Sequence, residues 1–159
     1  GAPLGYGLPC AVGGATQHKI VCIEGDGSLH LNVHELQTVR HNNLPIKILL
    51  INNDGYLSMK ITQNIFFNGR LVAAEKSSGV TFPDYKKVAD VYDIPFIRAH
   101  NNDEIDEALE AFFKIDGPAI CEVMTHPDEV HEPKVIARLD ENGNFIPGLL
   151  ENISWSENW

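Results

Sequence analysis

The sequence predicts an α/β domain with three layers, a mostly parallel sheet flanked by helices. Two β-rich runs and the stretch between them predict it. The run KIVCIEG, from Lys19, ends in Gly25-Asp26-Gly27, the pattern of a buried strand entering a tight turn. The run IKILLI, residues 46–51, is nearly continuous aliphatic, as expected of a central parallel strand covered on both faces. Between them, apolar residues recur at helical spacing, which makes strand, helix and strand one crossover unit. With 159 residues and 43% hydrophobic content the chain can build one sizeable core, so a single domain is expected.

The remaining elements follow in order. Gly1, Gly5, Gly7, Gly13 and Gly14 mark a loop leading into a closely packed helix that starts near Gly7 or Leu8. Ser28 reads as an N-cap. Leu29, Val33, Leu36 and Val39 give an amphipathic helix over 28–42, ended by Asn42-Asn43 and Pro45. After Asn52, Asn53, Asp54 and Gly55 come a short helix or loop over 56–63 and a long irregular segment to Pro83, a candidate active-site lid. Residues 84–92 are predicted helical and 95–99 extended. Residues 103–114 read as helical with Ile105, Leu109 and Phe112 or Phe113 inward, and 119–124 as a final buried strand. Beyond Thr125 the polar, proline-containing stretch reads as a surface arm. The main unit is thus 1–125, and 126–159 is an arm of the same domain.

Composition narrows the function. A formal charge of −10 and a pI near 5.0 oppose the basic footprint that nucleic acid requires. Cys10, Cys22 and Cys121 lie in apolar runs, which suits buried reduced thiols. No apolar run is long enough for a membrane span, and no export signal is legible, so a cytoplasmic location is expected. The glycine-rich start without methionine leads us to expect a fragment or a processed product.

Candidate chemistry comes from position. Asp26 and Asn53 each end a predicted strand, one crossover apart, which puts both on the same edge of the sheet. Ligands bind at that edge in open α/β sheets. A carboxylate and an amide oxygen suit Mg²⁺, which takes few protein oxygens and leaves the rest of its octahedron to phosphates and water. The backbone amides of Gly27 and Ser28, opening a helix, would meet phosphate oxygens. A bridged diphosphate fits both halves.

The string GDGSLHLNVHELQTVRHNNLPIKILLINNDGY resembles the binding motif of enzymes dependent on thiamine diphosphate (ThDP), which opens with GDG and closes with an NN pair. The preceding GYGLPCAVGGA is similar to the GFGLPAAIGA-type segment of the carboxy-terminal, diphosphate-binding domain in the acetolactate synthase and pyruvate decarboxylase superfamily. The resemblance runs from about Leu4 to Thr125. It implies that Asp26, Asn53 and the carbonyl of Gly55 ligate Mg²⁺, and that Gly27 and Ser28 hold the diphosphate. Gly25 and Tyr56 complete the cofactor-binding set. Leu4 takes the place of the apolar residue that bends the cofactor, and the Ala2 carbonyl would accept from its aminopyrimidine. The family often has glycine at the Ala2 position and methionine or isoleucine at the Leu4 position.

The resemblance further implies that no catalytic side chain lies in this chain. The activating glutamate belongs to a pyrimidine-binding domain of the same or a neighbouring subunit. That domain and a middle domain are absent here, so the chain alone should bind without turnover, and a homo-oligomer is expected of the parent protein. Whether FAD binds the middle domain stays open. The implied reaction is acetolactate synthase-like, with decarboxylation of a 2-oxo acid followed by ligation of the resulting enamine to a carbonyl acceptor, or by its protonation. Decarboxylases of the family carry glutamate at the Met59 position, whereas Lys60 and Gln63 resemble the branch of acetolactate-synthase-like proteins with an S-x-x-x-T-Q pattern. Tyr56, Ser58 and Met59 lie where substrate-lining side chains are expected. Alternatives are a simple 2-oxo acid decarboxylase and a non-catalytic ThDP-binding or assembly module. A different nucleotide-binding protein would carry G-x-G-x-x-G or a Walker lysine. His30 and His34 beside Glu35, and the stretch with His126, Asp128, Glu129, His131 and Glu132, read as surface rather than as metal sites.

Overall fold

The computed structural model describes residues 3–129, 132–135 and 137–153. Four parallel strands form its sheet: β1 (Ile20–Gly25), β2 (Ile46–Asn52), β3 (Phe96–Ala99) and β4 (Ala119–Met124), in the order β1-β2-β4-β3. The mostly parallel α/β sheet read from the sequence is therefore present. Because β1 and β2 pair in register from Ile20 with Ile46 to Gly25 with Ile51, their carboxyl ends finish side by side. That pairing brings the 25–28 and 52–56 segments to one edge.

Each face of the sheet has its own core. On one, α1 (Gly7–Gly14), α2 (Asp26–Leu31), α3 (Glu35–His41) and α5 (Tyr85–Val91) bury Leu8, Leu29, Leu36, Val39, Tyr85 and Ala89 against Cys22, Ile46, Ile48, Leu50 and Ile120. On the other, α6 (Ile105–Lys114) packs Ala108 and Phe112 on Ala99, Ala119 and Cys121. Only β4 is buried along both faces; α6 lies over β3 and β4, so on β2 the side bearing Lys47, Leu49 and Ile51 is half-covered, not fully covered as its aliphatic run suggests. Lys47 reaches across that gap to the carbonyls of Ile115 and Gly117.

Two expectations need correcting. The helix over 28–42 is two helices, and it starts at Asp26, with Gly25 as an extended N-cap. Ser28 cannot cap because its hydroxyl is committed to Glu24 and Gly5. Asn32 (φ −130°) interrupts the run, and tight bonds to the third residue back, from Glu35 to Asn32 and from Leu36 to Val33, carry the chain onward. The apolar spacing survives the break because Leu29, Leu36 and Val39 all stay fully buried. Among the thiols, Cys22 and Cys121 are buried but Cys10 is exposed, and all three are free.

The segment after β2 forms α4 (Leu57–Phe66), longer than read. The irregular stretch behind it folds back, with the Tyr56 amide donating to the Ala74 carbonyl at 2.8 Å and Gln63 bracing Val72 through both its amide atoms. Lys60 binds Glu75 and Asp128, fastening the start of the arm to α4. The arm itself carries a small hairpin of β5 (Arg138–Leu139) and β6 (Phe145–Ile146). His131 lies outside the described residues.

The sequence left Phe112 and Phe113 open; the structure buries Phe112 and leaves Phe113 55% exposed. Phe112→Ala should lower stability by about 3–5 kcal/mol, and Phe113→Ala by under about 1 kcal/mol, in urea unfolding. Equal losses would contradict the orientation of α6.

Candidate functional site

Asp26 opens α2 at the carboxyl end of β1 and is 2% exposed. One carboxylate oxygen accepts from the Gly27 amide at 2.8 Å and the other from the Gly55 amide at 3.0 Å. Its main-chain carbonyl accepts from the Tyr85 hydroxyl at 2.5 Å. Three elements thus fix one residue. Burial pushes the Asp26 carboxyl up from the ordinary 3.8 to about 6, against the opposing pull of its backbone donors. Among the described residues no lysine, arginine or histidine forms an ion pair with it.

The asparagine pair divides its work. Asn52 accepts from the Asp54 amide at 2.9 Å and donates to Glu122 at 2.6 Å; Glu122, fully buried, is also held by Arg98, which bonds Asp84 at 2.9 Å. Asp54 takes the left-handed φ of +57°. This turn sends Asn53 to the other side, where it lines a cavity of about 540 Å³ together with Leu4, Gly25, Asp26, Gly27, Ser28, Gly55 and Tyr56. All the residues singled out at this edge therefore meet, except Ala2, which lies outside the described residues. Ser58 and Met59 line the same cavity.

Tyr56 lies so close over Gly27 that an added Cβ there would come 2.3 Å from the ring, which explains why glycine is needed at that position. Phe82 meets the rings of both Tyr56 and His30 edge-on. Burial raises the pKa of Tyr56, with the neighbouring Asp26 adding to it.

The donor set suits a small hard cation. An almost fully buried carboxylate without a counter-charge is costly unless a cation completes it, and each of its oxygens keeps a lone pair beyond its one backbone bond. The Asn53 amide and the Gly55 segment add oxygens of the type Mg²⁺ accepts. Among the described residues no group of three or more His, Cys, Asp or Glu could hold a metal; His30 and His34 are exposed. The phosphate-facing half departs from expectation in one respect: α2 has six residues, the Gly27 amide already faces Asp26, and the Ser28 hydroxyl is occupied, so Ser28 has only its backbone to offer.

Sequence reasoning missed Glu24, Asn32 and Tyr85. Glu24 shares strand parity with Cys22, and a carboxyl on the core-facing register of a buried strand was the available signal.

Fold and edge site together define an open α/β domain with a cavity at the carboxyl ends of its strands. The family model described as the thiamine pyrophosphate enzyme, C-terminal TPP binding domain, matches residues 2–123, and the chain belongs to that family. The acetolactate synthase of Arthrospira platensis is 33% identical over 136 residues, covering 83% of this chain and 23% of that protein. The acetolactate synthase isozyme 2 large subunit of Escherichia coli (strain K12) is 33% identical over 123 residues, covering 76% of this chain and 22% of that protein. The Rhodococcus jostii RHA1 thiamine diphosphate-dependent 4-hydroxybenzoylformate decarboxylase superposes with a TM-score of 0.68 at 25% identity, over 80% of this chain and 24% of that one. The chain spans about a quarter or less of the length of these relatives. Among the described residues no helix is long and apolar enough to cross a membrane.

The Asp26 shift has a pH signature in the metal-free chain. Its folded pKa lies above the unfolded one, so the native state binds more protons between about pH 3.8 and 6. Stability should fall as pH rises through that window, by an amount on the order of 3 kcal/mol. Urea unfolding in chelator at pH 5 and 7.5 should show about half of this loss, roughly 1.4 kcal/mol, because the rest is already gone by pH 5; Asp26→Asn should flatten it, and an unchanged slope in the variant would contradict the assignment.

Proposed function

We propose that this chain is the diphosphate- and Mg²⁺-binding domain of an acetolactate synthase-like enzyme. The observation that carries the reading is the meeting of Asp26, Asn53 and the Gly55 segment at one cavity on the carboxyl edge of the sheet. In this reading Asp26, Asn53 and the Gly55 carbonyl hold Mg²⁺, and the diphosphate lies against Gly25 and Gly27 and meets the Ser28 backbone amide, while the Gly27 amide stays on Asp26. Leu4 borders the same cavity and would press on the cofactor, and the Ala2 carbonyl would accept from its aminopyrimidine. Tyr56, locked over Gly27 and against Phe82, closes the side of the cavity.

ThDP, when bound, supplies the nucleophilic carbon and the electron sink for decarboxylating a 2-oxo acid and passing the product to a carbonyl acceptor. This chain's residues would anchor and orient it. Residues 1–125 would form the binding unit, and 126–159 its arm. The activating carboxylate would come from a pyrimidine-binding domain of the same or a neighbouring subunit in a cytoplasmic homo-oligomer, with FAD an open question for the parent protein. Matches to acetolactate synthases support ligation; the likeness to the Rhodococcus decarboxylase supports simple decarboxylation as the second reading.

Calorimetric titration of ThDP into the chain tests this. Binding should appear with Mg²⁺, vanish in EDTA, and fall at least about a hundredfold in Asp26→Ala, with no turnover of a 2-oxo acid in any sample. Binding indifferent to both Mg²⁺ and Asp26 would overturn the site.

A further inference from the structure

Glu24 and Ser28, which line the cavity, belong to a hydrogen-bond network that the proposed function does not use. Glu24, at the end of β1 and only 6% exposed, accepts through one carboxyl oxygen from both the Ser28 hydroxyl at 2.7 Å and the Gly7 amide at 3.2 Å. The Ser28 hydroxyl in turn accepts from the Gly5 amide at 2.8 Å, and the Asn32 side chain donates to the Gly5 carbonyl at 2.6 Å. The loop before α1 is thereby fastened, at Gly5 and Gly7, to the segment that opens α2.

Two glycines show how tightly. A Cβ on Gly7 would stand 2.7 Å from the Glu24 carboxyl oxygen, and one on Gly5 would stand 2.9 Å from both Asn32 and Leu31. Gly5 also takes φ +81°, a left-handed conformation that glycine adopts freely. The same loop carries Leu4 into the cavity, which Asp26 and Gly27 also line.

We infer that Glu24 is a positioning residue that, through Ser28 and with Asn32, holds the Leu4 loop at a fixed separation from the Asp26–Ser28 segment, so that the cavity accepts the two ends of one cofactor together. The inference rests on the proposed ThDP site. It also accounts for the break after α2: the turn at Asn32 places its amide on Gly5 in place of continuing the helix. A pre-set separation raises affinity only for a ligand that touches both ends.

The test compares two probes, Mg²⁺-pyrophosphate, which engages the diphosphate end alone, and Mg²⁺-ThDP, which spans both. Each is titrated into the wild-type chain, Glu24→Ala, Glu24→Gln and Asn32→Ala, with circular dichroism as the folding check. Glu24→Ala and Asn32→Ala should weaken ThDP about tenfold or more while leaving pyrophosphate within about twofold. Glu24→Gln keeps an oxygen acceptor and should restore most of the lost affinity. Where Glu24→Ala does not fold, Asn32→Ala, which leaves the bonds of Ser28 and Gly7 to Glu24 in place, decides. Unchanged ThDP affinity in the alanine variants, or equal losses for both probes, would overturn the positioning role while leaving the site intact. A folded wild-type chain that binds neither probe would overturn the functional reading and this inference with it.

Discussion

The arrangement depends on the Asp26 carboxylate bridging the backbone amides of Gly27 and Gly55. Those two amides belong to loops that leave adjacent parallel strands, and the carboxylate holds them together at the edge of the sheet. Without that bridge, Asn53 and Gly55 would sit on a turn of their own. With it, the turn after β2 is registered against the start of α2. A buried carboxylate without a counter-ion is an expensive way to make such a link. Its expense makes sense if the missing positive charge arrives with a ligand.

The rest of the fold supplies the rigidity that this link needs. Parallel pairing of β1 with β2 over six residues fixes the strand ends side by side, and β4, buried on both faces, anchors the sheet behind them. Tyr85 comes from α5, far along the chain, to accommodate the Asp26 carbonyl, and Arg98 and Glu122 hold Asn52 so that its neighbour can face the cavity. Polar residues in the interior are thus concentrated near one edge, while the two cores are aliphatic and aromatic.

Much of this was legible in the sequence because periodicity and punctuation are local. Two aliphatic runs ending in Gly-Asp-Gly and Asn-Asn define the strands and place Asp26 and Asn53 on one edge. Helix continuity was not legible at Asn32. Apolar spacing reports which face is buried, and Leu29 and Leu36 keep that face across a break caused by a distant carbonyl, that of Gly5. The Glu24 network and the Tyr85 contact were hidden for the same reason, since they depend on bonds that span 17 to 59 positions. Phe112 and Phe113 could not be told apart because either satisfies helical spacing, and the angle of α6 on the sheet decides.

The central claim is that Asp26, Asn53 and the Gly55 carbonyl share one cation. Crystals of the chain grown with ThDP and Mn²⁺ in place of Mg²⁺ would locate that cation by anomalous scattering. The account predicts one peak at roughly 2.0–2.3 Å from oxygens of all three residues. A peak elsewhere, or ThDP bound with no peak at this edge, would contradict it.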